Sequence, residues 1–70
     1  MNLKINGEIR IVKLEPKQAT LTELMKELGH HPKLVVVELN GLIIPKPEWD
    51  KKEIKDGDIL EIVTIVGGGS

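Results

Sequence analysis

Seventy residues make one small domain, near the lower limit at which a hydrophobic core holds without staples, and the absence of cysteine excludes disulfides, Cys-ligated metals and thiolate chemistry by the chain itself. Lys and Arg (10) and Asp and Glu (11) are interspersed and leave a net charge of -1, and Trp49 is the sole aromatic, so neither a phosphate-tracking basic stripe nor a base-stacking platform is present and no nucleic-acid partner is expected. The apolar runs Leu34 to Val37 and Leu42 to Ile44 fall far short of the ~20 residues of a membrane span, and the Met1-Asn2-Leu3 start lacks a secretory apolar segment; the expectation is a soluble cytoplasmic protein with no membrane partner.

Asn2-Leu3-Lys4-Ile5 alternates polar and apolar, Asn6-Gly7 is a two-residue turn signal, and Glu8-Ile9-Arg10-Ile11-Val12 alternates again. This predicts an N-terminal hairpin with Leu3 and Ile5 on one side together with Ile9 and Ile11, the register blurring at Val12 and Leu14. Thr20 then precedes Leu21, Leu24, Met25 and Leu28, a helical stripe, with Glu23 at the capping-box position. A helix of about two turns follows, closed by Gly29 as its left-handed terminal residue and prevented from restarting by Pro32.

Leu34 to Leu39 reads as a strand with Val35, Val37 and Leu39 on one face and Leu34, Val36 and Glu38 on the other. Asn40-Gly41 turns it into a second hairpin with Leu42-Ile43-Ile44, which Pro45-Lys46-Pro47 ends. After a turn at Asp56-Gly57-Asp58, Ile59 to Val66 forms the last strand, with Ile59, Val63 and Ile65 opposite Leu60 and Ile62. Apolar on both faces, that strand belongs in the middle of the sheet, and its second face is available to a partner. The expected class is α+β, a mixed sheet of four to five strands with one helix packed across one face.

Few residues invite chemistry. His30-His31 point in diverging directions and lack a third ligand at suitable spacing, so they read as a solvated loop pair and no metal is assigned. Asp56 and Asp58 lack the repeated oxygen ligands of a calcium loop and read as turn residues. Trp49 reads most simply as a cap over the sheet edge beside Pro45 and Pro47, the sharper alternative being an interface anchor. The Lys26-Glu27 and Lys51-Lys52-Glu53 charges are solvated faces. Thr20 and Thr22 have no base nearby in sequence, and no catalytic residue is assigned.

What remains is the end of the chain, Val66-Gly67-Gly68-Gly69-Ser70. A terminal glycine run loses much entropy on ordering, so residues 67–70 are expected to form a flexible tail on a domain spanning 1–66. Its composition is also that of an inert linker.

Leu39-Asn40-Gly41, Ile44-Pro45-Lys46, Glu48-Trp49, Lys55-Asp56-Gly57-Asp58, Glu61-Ile62-Val63 and Val66-Gly67-Gly68-Gly69 occur in an order and spacing that resemble the ThiS family of sulfur carriers in thiamin biosynthesis. The resemblance covers the whole chain and implies a β-grasp, ubiquitin-like fold and a non-enzymatic role. It further implies that a ThiF-like adenylyltransferase uses ATP to join AMP to the terminal glycine carboxylate, Gly69 once Ser70 is lost. The acyl adenylate becomes a thiocarboxylate with sulfur from a donor such as a cysteine desulfurase, and a ThiG-like thiazole synthase takes that sulfur. No cofactor is bound by the carrier itself.

The tail of Gly67, Gly68 and Gly69, extended past Val66, reaches about 13 Å into a partner's site, and Cβ atoms would obstruct a narrow channel. Ile59, Val63, Ile65 and Val66 are the expected partner-binding residues. Two other readings stand beside this one: a MoaD-like sulfur carrier of molybdopterin synthesis, and a ubiquitin-like binding module with an inert tail.

Overall fold

The computed structural model describes residues 1–29 and 35–64. Strands β1 (Asn2–Ile5) and β2 (Glu8–Ile11) are joined by Asn6-Gly7, whose φ angles of 52° and 84° match the type I′ turn favoured by the twist of a hairpin. The register sets Ile5 opposite Glu8 and Lys4 opposite Ile9. Ile9 and Ile11 therefore lie on the face away from Leu3 and Ile5, 77% and 81% exposed, which corrects the expectation that all four share a side. The cause is the loop length: a two-residue turn pairs the residues immediately flanking it, and directly opposed residues point the same way.

Helix α1 (Leu21–Leu28) begins where its first turn finds partners for its N–H groups. The Glu23 N–H donates to Thr20 Oγ1 at 3.3 Å, and the Leu21 and Thr22 N–H groups donate to the Lys52 and Trp49 carbonyls at 2.9 and 3.3 Å. The other half of the capping box is not made. The Thr20 N–H donates to the Gln18 carbonyl, and the Glu23 carboxylate lies 3.6 Å from Lys26 Nζ on the solvated side. Gly29 ends the helix at φ 78°. The apolar stripe is as spaced: Leu21, Leu24 and Met25 are fully buried, and Leu28 packs half-buried at the rim of the core.

Strand β3 (Val35–Leu39), the Asn40-Gly41 turn and β4 (Leu42–Ile43) form the second hairpin, and β5 (Ile59–Thr64) supplies the last strand among the described residues. The sheet order is β2-β1-β5-β3-β4, with β5 central, parallel to β1 and antiparallel to β3. The helix covers one face, where Leu3, Ile5, Val35, Val37, Leu39, Leu60 and Ile62 meet Leu21, Leu24 and Met25.

The segment between β4 and β5 closes the end of this core. Pro45 opens a short 3₁₀ turn at Lys46–Glu48, and Trp49 folds back so that its indole Nε1–H donates to the Ile44 carbonyl at 2.8 Å. Trp49 is 3% exposed, so it is the cap and not an interface anchor. Burying the indole with its N–H satisfied lets the one aromatic contribute apolar area without an orphaned donor. Ile54 is buried beside it, drawn in by donation of its N–H to the Ala19 carbonyl at 2.7 Å, while Lys51, Lys52 and Glu53 remain exposed as expected.

Candidate functional site

The face of the sheet away from α1 has no covering layer among the described residues. Register defines its membership, because opposed residues share a face: Asn2 with Ile11, Lys4 with Ile9 and Ile59, Glu61 with Glu38, Val63 with Val36, and Glu38 with Ile43. Of the expected partner-binding residues, Ile59 and Val63 are on this face, 49% and 61% exposed. Ile9, Ile11, Val36 and Ile43 join them. Val36 is on the side expected of it; Ile9 and Ile11 could have been found from the length of the Asn6-Gly7 loop.

The face is mixed in character, apolar and acidic. Branched aliphatic side chains run across it, and a shallow depression of about 240 Å³ opens between Asn2, Lys4, Ile9, Gly57 and Ile59. At its middle Glu38 opposes Glu61 across β3 and β5, a like-charged cross-strand pair that destabilises the isolated sheet. Exposed apolar groups around a repulsive acidic pair are an arrangement better suited to contact than to water.

Geometry at the end of β5 matters as much as the face. The parallel pairing of β1 with β5 reaches Ile5 and Leu60, where β1 turns away. Strand β5 continues to Thr64, still paired with β3 through Val36 and Val35. On the β1 side the Asn6 side chain takes over: the Ile62 N–H donates to Asn6 Oδ1 at 2.7 Å, and Asn6 Nδ2 donates to the Ile62 carbonyl at 3.1 Å. The other hairpin asparagine does a related job at the start of β5, where the Ile59 N–H donates to Asn40 Oδ1 at 2.9 Å and Asn40 Nδ2 donates to Asp58 Oδ1 at 3.1 Å. Asp58 Oδ2 accepts from the Lys55 N–H and Asp56 Oδ1 from the Asn2 N–H, so both aspartates are turn and connection residues as expected.

Ile65, Val66, the Gly67–Ser70 tail with Gly69, the domain boundary after Val66, and the His30-His31 pair lie outside the described residues. Among the described residues no cluster of His, Asp and Glu is placed to hold a metal, and no helix is long and apolar enough to cross a membrane.

The five-stranded mixed sheet and crossing helix define a β-grasp domain of the ubiquitin-like kind. A crystal structure of the thiamine biosynthesis protein ThiS from Geobacter metallireducens superposes with a TM-score of 0.82 at 36% identity, covering 99% of this chain and 100% of that one. The sulfur carrier protein ThiS of Bacillus subtilis is 37% identical over 67 residues, 96% of this chain and 98% of the relative. A thiazole synthase of Paramagnetospirillum magneticum is 43% identical over 70 residues, and the chain spans 21% of its length. The ThiS family model matches residues 3–69, and the chain belongs to the ThiS family.

Proposed function

We propose that the chain is a sulfur carrier of thiamin biosynthesis, a protein substrate whose reactive group is the carboxylate of Gly69 once that residue is terminal. The match of the family model through residue 69, across the glycine run, is the observation that carries this reading. It favours the thiazole branch over the molybdopterin one and a working tail over an inert one.

The chemistry follows from the weakness of a carboxylate as an electrophile. A ThiF-like adenylyltransferase brings ATP; the carboxylate oxygen attacks the α-phosphorus, pyrophosphate leaves, and the acyl adenylate now has AMP as its leaving group. Hydrosulfide, delivered by a donor such as a cysteine desulfurase, attacks the acyl carbon, AMP departs and a proton is released. The resulting thiocarboxylate places a strong sulfur nucleophile at the end of the chain. ATP is the activating enzyme's co-substrate and not a cofactor of the carrier, and the reaction belongs in the cytoplasm.

A thiazole synthase takes the sulfur. Support for that partner class comes from the thiazole synthase relative, about a fifth of whose length resembles this chain. The uncovered sheet face, with Ile59 and Val63 at its centre, is the surface such partners grip, and a basic side chain of the partner relieves the Glu38 and Glu61 repulsion. Ile65 and Val66, next in the chain, are assigned to the same partner contact.

Intact-mass analysis tests the reading. A chain ending at Gly69 and one retaining Ser70 are each incubated with a ThiS-activating adenylyltransferase, ATP and sulfide. The Gly69 form is expected to gain the mass difference of one oxygen-to-sulfur exchange while the Ser70 form stays unchanged. Equal conversion of both would remove the requirement for a terminal glycine, and conversion of neither would leave the inert binding module as the correct account.

A further inference from the structure

We propose that Asn6 is a positioning residue for the group-transfer chemistry, through the clamp its side-chain amide makes on Ile62; the inference rests on the carrier reading above. Asn6 begins as an ordinary turn residue. It sits at φ 52° in the β1–β2 hairpin and its backbone N–H donates to the Leu60 carbonyl at 2.9 Å, the last backbone bond of the β1 and β5 pairing. Its side chain then reaches one register step further along β5. Oδ1 accepts from the Ile62 N–H at 2.7 Å and Nδ2 donates to the Ile62 carbonyl at 3.1 Å, both partly buried.

A primary amide presents a carbonyl oxygen and an N–H donor much as a peptide unit does, so the pair of bonds imitates the strand that is no longer there. Its consequence is where the two-sided part of β5 stops. Without the clamp, β5 would be held from both sides only as far as Leu60, and the segment leading to the reactive carboxylate would start from a strand held by β3 alone. With it, both flanks of β5 are held to Ile62.

Transfer to and from a chain terminus depends on presenting that terminus in an attack geometry, and ordering ahead of time contributes to rate. Each residue of β5 held on one flank instead of two lowers the fraction of encounters in which the carboxylate is in place. The effect falls on turnover, because the gripping surface on the open sheet face is untouched.

Asn40 provides a matched control. It occupies the same turn position, φ 50° before a glycine, and its side chain also accepts from a β5 N–H, but at Ile59, the opposite end of the strand. Asn6→Gly and Asn40→Gly each keep a turn-compatible backbone and remove the side chain. In chains ending at Gly69, the rate of acyl-adenylate formation is measured against carrier concentration, alongside amide hydrogen exchange and thermal melting.

Asn6→Gly is expected to lower kcat about tenfold with KM within about twofold, and to speed exchange of the Ile62 amide about tenfold, the scale of losing a pair of hydrogen bonds. Asn40→Gly is expected to lose similar thermal stability while keeping its kcat. Asn6→Asp keeps the acceptor for the Ile62 N–H and loses the donor to its carbonyl, and its kcat should fall between the unaltered chain and Asn6→Gly. Equal kcat losses in the two glycine variants, or an unchanged kcat in Asn6→Gly or Asn6→Asp, would overturn the inference while leaving the carrier reading intact. Failure of the unaltered chain to form the acyl adenylate would overturn both.

Discussion

Val63 and Leu60 stand three residues apart on β5 and face opposite ways, so the same strand offers a surface change and a core change to compare. Val63 is 61% exposed and Leu60 is fully buried. Fully burying a valine side chain contributes about 1.5–3 kcal/mol, and Val63 retains roughly two-fifths of that burial, which puts its loss near 1 kcal/mol. The cross-strand contact with Val36 contributes within the range of about 0.2–1 kcal/mol, and a lysine stem can cover part of the same surface.

Val63→Lys should therefore destabilise the domain by about 1 kcal/mol, or roughly 4–8 °C in Tm for a chain of this size. Leu60→Ala should remove about 2–5 kcal/mol, because atoms leave a packed site that cannot fully collapse. Urea denaturation followed by circular dichroism measures both, and titration against the activating enzyme measures affinity. Val63→Lys is expected to keep the fold and weaken binding at least about tenfold, as desolvating an ammonium on an apolar face requires. A folded Val63→Lys variant with unchanged affinity would remove this face from the interface. Loss of folding in that variant would show that Val63 is a core residue.

Leu24, fully buried on α1 against the sheet, should cost about 2–5 kcal/mol when replaced by alanine; a denaturation difference under about 1 kcal/mol would contradict the packing described here. Gly29→Ala meets nothing within 4 Å of the added Cβ, so its effect isolates backbone strain at φ +78°. A loss of about 1–2 kcal/mol by thermal or urea denaturation is expected, and a neutral result would show that the helix terminus adopts another conformation without penalty.

What local chemistry dictates was legible in the chain. Asn6-Gly7 and Asn40-Gly41 need φ values that few residue pairs tolerate; Thr20 and Gly29 bracket an apolar stripe at helical spacing; and a strand apolar on both sides, read from the sequence as Ile59 to Val66 and described in the structure over Ile59–Thr64, belongs in the centre. Each of these signals acts within a few residues, so the sequence shows both cause and effect. The family resemblance, carried by an ordered set of such short pieces and the glycine run, was equally legible.

Tertiary structure decided what depends on distant partners. Whether Ile9 and Ile11 join the core or the open face is set by pairing with β1, since a one-residue difference in register reverses every side chain. Trp49 reads from the sequence most simply as a cap, with an anchor as the alternative, and the choice is made only where the Ile44 carbonyl accepts from its indole and the core closes around it. Asn6 has no message beyond a turn until the fold brings it to Ile62, 56 residues away in the chain, where its amide meets a backbone that β1 has left unpaired. Hydrogen bonding is short-ranged and directional, so a side chain's second role exists only once packing has set its partner within about 3 Å.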